Sequence, residues 1–331
     1  MDKTVCHIGP IRDNGGMASV IESITSMNIP GWTQTTINSY SRESLWGRIS
    51  LIRTTKKTLT TMFQNGELDV VHVHVTHGFS WFRKSFFFRW CINNKVPLII
   101  HIHSGKPQKI ISKTAKLLDE VGNKNKVMAV VLEKRWYKEF QGAHNSKVIV
   151  IPNAPRAKFR KNSASDKNLK FGIFSRPLKH KRHSLALEAL SIVRDRGYNI
   201  SMVATGSPFD NPPEWVDQRG WVSEDELLTL MSECSFLIQT STREGSSMAV
   251  IEALSMGLTP IVSEASAETT DERGFVVSGS TPLDWASTII DAILLAQNKK
   301  NDEEEPYSDP HDRALVEKSW SSLYDSILHQ G

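Results

Sequence analysis

Short runs of apolar, β-branched residues recur at positions 5–8, 70–75, 98–103, 127–132 and 147–151, most of them separated by longer stretches with the apolar spacing of helices. Strands so continuously apolar are buried on both faces, which predicts a parallel sheet covered by helices on each side. The same style returns at 170–174, 200–204, 236–239, 259–262 and 275–277. Two α/β sheets in tandem are expected. Between them residues 153–166 are rich in Pro, Lys, Asn and Ser and lack periodicity, as a linker does. The expected division is a first domain at 1–158, a second at 159–308, and a final segment, 309–331. In that last segment Ala314, Val316, Trp320, Leu323, Tyr324 and Ile327 recur at helical spacing, so a helix there must bury one face.

A chain of 331 residues is long for one hydrophobic core and comfortable for two. Its 39% hydrophobic and 23% charged residues describe an ordinary globular protein. The net charge of +4 hides an asymmetry: residues 1–158 hold 23 Lys and Arg against 10 Asp and Glu, and the remainder holds 17 against 26. A first half at +13 suits an anionic surface, whereas the second half stands at −9. Cys6, Cys91 and Cys234 are far apart, with no disulfide or zinc spacing. No stretch reaches the roughly 20 apolar residues of a membrane span, and the start does not read as a signal peptide. A cytoplasmic protein, peripheral on the inner membrane face, is the expectation.

The densest chemistry lies in Glu244-Gly245-Ser246-Ser247-Met248-Ala249-Val250-Ile251-Glu252. It reads as a small-residue turn feeding a helix, whose unpaired N–H groups form a site for phosphate or sugar oxygens. Glu244 enters from the turn and Glu252 returns two helical turns later, where carboxylates can bond sugar hydroxyls; a helix cap at Ser246 and two unrelated glutamates is the bland alternative. Arg176 and Lys181 follow the strand at 170–174 in a basic loop shared with Lys179, Arg182 and His183. Such a loop is either a solvated surface or, at a strand end, an anion site. Asn14-Gly15-Gly16 follows the first strand and lets backbone come close to a ligand, or simply turns the chain. His101 and His103 share one strand face, which raises a metal pair, but no acidic or cysteine partner is close in sequence. His72 and His74 read as structural.

The segment from Glu244 to Glu252 resembles the E-x7-E motif of glycosyltransferase family 4, and Gly220-Trp221-Val222-Ser223 resembles the approach to it. Arg176 and Lys181 are similar to that family's G-R-x4-K pair, with Ser175 in place of its glycine. Residues 148–153, ending Ile-Pro-Asn, resemble the turn closing the first domain. The match runs from about residue 5 to about 290, and is weaker at Thr205-Gly206-Ser207-Pro208. This resemblance implies a GT-B fold: two Rossmann-like domains facing across a cleft, with the last helix packing back on the first. It implies retention at the anomeric carbon, with His103, Glu244, Arg176 and Lys181 as the catalytic set. Gly15, Gly16, Gly206, Trp221, Val222, Ser246, Ser247, Met248, Ala249 and Glu252 would complete the donor site. Glu244 would contact the transferred sugar, Glu252 the ribose, and Arg176 and Lys181 the diphosphate. His103 would stand beside sugar and phosphate, its imidazole donating to developing negative charge. The chain lacks a D-x-D metal motif, so the expectation is no metal and no cofactor, the donor being a UDP- or GDP-sugar with UDP favoured.

Residues 79–90 interleave aromatics with Arg83, Lys84 and Arg89, either as core packing or as an interfacial helix. The leading expectation is transfer of a hexosyl or N-acetylhexosaminyl group to a lipid-linked glycan acceptor in bacterial surface polysaccharide synthesis, with an anionic membrane as partner. A small soluble acceptor is the same-fold alternative. A nucleotide-sugar epimerase and a non-catalytic partner subunit fit the paired Glu and basic residues less well. A nucleic-acid binder is the reading from another class, and it lacks any recognisable binding motif.

Overall fold

The computed structural model describes residues 2–11, 15–40, 45–76, 78–122, 125–140, 146–160, 169–298 and 309–329, with the backbone alone for 45–49. The chain divides into two compact units, Met1–Arg156 with Pro310–Gly331, and Ala157–Asp309. Asn14, most of the linker after residue 160, and the acidic stretch at 299–308 lie outside the described residues.

Unit 1 contains a six-stranded parallel sheet: β1 (Lys3–Gly9), β2 (Trp32–Asn38), β3 (Val70–Val75), β4 (Leu98–Ile102), β5 (Val127–Val131) and β6 (Val148–Val150). Their order is β2-β1-β3-β4-β5-β6, so the chain reverses its direction of travel between β1 and β3. Four helices intervene: α1 (Gly16–Thr25), α2 (Leu45–Gln64), α3 (Gly78–Asn93) and α4 (Gln108–Val121), with a short α5 (Lys134–Lys138). Every residue of β3, β4 and β5 is buried, as strands covered on both faces must be. One face sets Cys6, Ile8, Val71, Val73, Val75, Ile100 and Ile102 against Phe87, Phe88 and Cys91 of α3 and Ile110 and Leu118 of α4.

Unit 2 holds a second six-stranded parallel sheet, ordered β12-β11-β10-β7-β8-β9. Its strands are β7 (Lys170–Phe174), β8 (Ser201–Thr205), β9 (Val216–Gln218), β10 (Phe236–Gln239), β11 (Thr259–Ser263) and β12 (Phe275–Val277). The helices are α6 (His183–Asp195), α7 (Glu224–Ser232), α8 (Met248–Ser255), a short α9 (Ala267–Thr270) and α10 (Pro282–Asn298). The reversal here falls between β7 and β10, since β8 and β9 lie on one side of β7 and β10 on the other. Gly257, at φ +76°, ends α8 in the left-handed conformation that glycine adopts at no steric cost.

The last helix, α11 (Arg313–His329), belongs to unit 1. Trp320 and Tyr324 are buried against the sheet face opposite α3, where the Trp320 and His72 rings lie 4.8 Å apart and tilted by 39°. Asp325 accepts from Trp32 Nε1 at 3.0 Å and Lys3 Nζ at 3.2 Å, and Arg313 donates to Ser26 Oγ at 2.9 Å. The expected return of the final helix to the first domain is what the fold shows.

The fold adds to the sequence pattern in two segments. Residues 32–38, which carry no apolar run, form β2 at the sheet edge, where one side needs no burial. The 79–90 segment is neither wholly core nor wholly interface: Phe87, Phe88 and Trp90 are buried, while Phe79, Phe82 and Phe86 are exposed by 57%, 58% and 47%. Lys84, named above with Arg83 and Arg89, is fully buried, because its ammonium finds a partner inside by donating to His74 O.

Trp320→Ala is expected to destabilise unit 1 by about 3–5 kcal/mol and Tyr324→Phe by about 1–3 kcal/mol. Leu315→Ala, at an exposed position of the same helix, is expected to stay within about 0.5 kcal/mol. Urea unfolding followed by circular dichroism checks this, and equal losses at all three positions would contradict the packing described.

Candidate functional site

In open parallel sheets ligands bind beyond the carboxyl ends of the strands, where the strand order reverses, because diverging loops leave a crevice there. In unit 2 that point is between β7 and β10. The loop leaving β7 carries Ser175 and Arg176, then a 3-10 turn at Lys179–Lys181, and Arg182 in the left-handed region at φ 49° before α6. The loop leaving β10 runs through Thr240 and Glu244 to Ser247, which caps α8.

These two loops are bound to each other. Thr240 Oγ1 donates to the carbonyls of Lys181 and Arg182 at 2.6 and 2.9 Å, Arg182 Nε donates to Thr240 O at 3.0 Å, and Thr242 N donates to His180 O at 2.8 Å. Across this seam Lys181 Nζ lies 2.6 Å from Glu244 Oε1, with the two side chains only 15% and 13% exposed. Water screens such a pair less than it screens a surface pair, so the ammonium is held in one place. Arg176 is exposed on the same loop as Lys181. The concentration of cations is felt by neighbouring imidazoles: burial first, then Lys181, lowers His183 to about 4, and the same causes together with Arg243 lower His180.

The start of α8 is fixed from inside. Ser247 Oγ accepts from Val250 N and donates to Gln239 Oε1 at 2.8 Å, while Gln239 Nε2 donates to Ser266 Oγ at 3.0 Å. Ser247 N reaches Thr269 Oγ1 at 3.5 Å. The amides of Met248 and Ala249 belong to the first turn, whose N–H groups have no intrahelical acceptor. Ser246 Oγ is buried without a hydrogen-bond partner among the described residues, which is uncommon for a buried hydroxyl. Glu252 is 3% exposed on the inner side of α8.

Gly206 follows β8 at φ +83°, and its N–H donates to Gly220 O at 3.0 Å, which ties the loop after β8 to the loop carrying Trp221 and Val222. A side chain there would meet Pro177 and Ser175 O at 3.2 and 3.3 Å. Trp221 is 56% exposed, and Val222 packs partly buried beside Leu227 and Leu228. Unit 2 thus gathers Arg176, Lys181, Glu244, Ser246, Ser247, Met248 and Ala249 at one sheet end. Gly206, Trp221 and Val222 stand on the adjacent loops.

Residues 169–294 match the family described as Glycosyl transferases group 1. That match lies wholly within unit 2 and spans both loops of the Lys181–Glu244 pair. No curated protein sequence matches the chain. Among solved structures it is similar to a glycosyltransferase from Rickettsia africae, at TM-score 0.66 and 14% identity over 99% of this chain and 94% of that one. The catalytic domain of starch synthase IV from Arabidopsis thaliana, bound to ADP and acarbose, aligns at TM-score 0.64 and 12% identity, over 99% and 100%. Sucrose-phosphate synthase from Thermosynechococcus elongatus aligns at 0.62 and 12%, over 98% and 95%. At these identities the likeness establishes the fold, two parallel-sheet α/β domains of the GT-B kind.

Of the candidate residues in unit 1, Gly15 caps α1, its carbonyl accepting from Ala18 N and Ser19 N at 2.8 and 3.1 Å. A side chain at Gly16 would meet nothing within 4 Å, so packing does not demand glycine there. His103 follows β4, its N–H donating to Val75 O at 2.8 Å. The ring of His103 belongs to a cluster the sequence did not foretell. His7, His72, His74, His101 and His103 share one face of the sheet, because His7 lies opposite His72 and His74 opposite His101 in the strand register.

Two overlapping triads, His7–His72–His74 and His74–His101–His103, place ligand atoms within 4.8 Å of one another. Yet the ring nitrogens are bonded to each other and to Gln34 and Tyr324, and among these five rings only His101 Nε2 and His103 Nδ1 lack a partner. A cation would have to displace that network. Burial, the leading cause for each ring, holds His7 at about 4 and His103 at about 3, and pushes His72, His74 and His101 well below the ordinary value. The cluster is neutral at physiological pH. The signal for it was alternation: His7, His72, His74 and His101 take the same phase of their parallel strands and His103 continues that phase just past β4, but only register brings them together.

Proposed function

We propose that the chain is a retaining, metal-independent glycosyltransferase that moves a hexosyl or N-acetylhexosaminyl group from a UDP- or GDP-sugar to a lipid-linked glycan acceptor in bacterial surface polysaccharide synthesis. The observation that carries this reading is the Lys181–Glu244 pair at 2.6 Å, set at the strand reversal beside the amide-rich start of α8. A diphosphate leaving group needs fixed positive charge and preorganised donors, which are worth most where water is excluded. Lys181 and Arg176 supply the charge, and the amides of Met248 and Ala249 with the Ser246 hydroxyl supply the donors. In the reaction the bond from the anomeric carbon to the diphosphate oxygen breaks, and its electrons go to that oxygen. The acceptor hydroxyl bonds the carbon on the same face and passes its proton to the departing phosphate. Glu244 holds Lys181 in place and contacts the sugar. The bound nucleotides and sugars of similar structures, ADP and acarbose in the starch synthase domain and UDP with GlcNAc in a pneumococcal O-GlcNAc transferase, are in keeping with this reading.

The membrane part of the proposal rests on unit 1. Phe79, Phe82 and Phe86 project from one side of α3 at helical spacing, Arg89 is exposed on the same helix, and residues 1–158 carry +13. Apolar side chains with flanking cations are what an interfacial helix uses, each cation near an anionic leaflet adding roughly 1 kcal/mol. No helix among the described residues is long and apolar enough to cross a membrane. A soluble acceptor remains the second reading, and it requires activity without lipid.

Calorimetric titration of the full chain with UDP- and GDP-sugars is expected to show binding that weakens by about tenfold or more in Lys181→Ala and in Glu244→Ala, the loss of one charge-assisted contact. Equal affinity in the parent and both variants would remove the proposed site. In liposome flotation at low salt with anionic lipid, the chain is expected to float and the triple variant Phe79→Ser, Phe82→Ser, Phe86→Ser to remain at the bottom. No flotation of the parent would sink the membrane reading.

A further inference from the structure

Gln34 on β2 is the one member of the unit 1 network whose orientation can be assigned without ambiguity. Its Nε2 lies 3.0 Å from Ile24 O and 3.0 Å from Met27 O. Carbonyl oxygens only accept, so the amide nitrogen must face them and the amide oxygen must face the other way. That oxygen, Oε1, is 3.0 Å from His7 Nε2. It also only accepts, so His7 Nε2 carries the proton.

A neutral imidazole has one N–H, and the consequence passes from ring to ring. His7 Nδ1 is then a lone pair, and it faces His74 Nε2 at 3.1 Å, which must donate. His74 Nδ1 is left as a lone pair facing His103 Nε2 at 2.9 Å, which must donate in turn. His103 Nδ1 remains, buried and without a partner, as a bare acceptor. Every ring in the relay stays neutral for the same reason: burial disfavours the imidazolium in all three, and the buried Lys84 opposes it further at His103.

We infer that Gln34, acting through His7 and His74, fixes His103 in the Nε2–H tautomer, so that its one N–H is taken by His74, its Nδ1 is a lone pair, and the ring has no proton left to donate to a ligand. It reverses the polarity expected from sequence, in which this imidazole donates to developing negative charge. Gln34, His7 and His74 are positioning residues on this account. The second chain of the cluster, Tyr324 OH to His72 to His101, is not fixed in the same way, because a phenol can donate or accept.

The test is a long-range proton–nitrogen NMR spectrum of the full chain with nitrogen-15 histidine at neutral pH, the His103 signals being assigned with His103→Gln. His103 is expected to show a protonated Nε2 and an unprotonated Nδ1, and a protonated Nδ1 in the parent would overturn the relay. Gln34→Leu, which removes the acceptor facing His7 Nε2, is expected to lose the single tautomer. An unchanged, uniform Nε2–H state in Gln34→Leu would show that Gln34 does not set it.

Discussion

A positive charge held still at the end of a parallel sheet is the constraint on which the rest of this structure turns. Lys181 and Glu244 come from loops 63 residues apart in sequence, yet Thr240, Thr242 and Arg182 bind those loops backbone to side chain until the two charged groups meet. Neither charge is freely hydrated, so each depends on the other. A diphosphate arriving there would find a cation already oriented, with the first turn of α8 alongside, rather than a flexible lysine that must lose rotamer freedom on binding.

The same architecture explains why polar groups in unit 1 collect as they do. Strands buried on both faces have no solvent to satisfy a polar side chain, so five imidazoles on one face must satisfy one another. They do so almost completely, and they close the network with Gln34 at the edge strand and Tyr324 on the returning helix. The polar interior of unit 1 therefore meets the returning α11 through Tyr324, and leaves His101 Nε2 and His103 Nδ1 as the two ring nitrogens without a partner. Lys84 follows the same rule: a cation in the core is tolerated because a carbonyl of β3 receives it, and burial still lowers its pKa to about 7.

Much of the fold was legible in sequence. The runs at 70–75, 98–103 and 236–239 are so continuously apolar that a doubly covered parallel sheet was the natural reading, and Trp320 and Tyr324 marked the buried face of α11. Two of the four edge strands, β2 and β9, were not legible. Residues 32–38 and 216–218 lie at sheet margins, where partial exposure removes the apolar signature. In the candidate site, the residue types around Glu244 and Lys181 were visible, whereas the contact between them depends on the order of β7 and β10. The histidine network was hidden for a related reason. Alternation reports which face a residue takes, but only strand register reports which residues it meets, and Gln34 sits in a strand that the pattern did not reveal.

Hydrogen exchange with and without a bound nucleotide sugar tests the central claim most directly. Slowed exchange is predicted at the amides of 246–249 and in the loop at 175–182, with the remainder of unit 2 little changed. Protection confined to other parts of the chain, with those two segments exchanging at the ligand-free rate, would contradict the account.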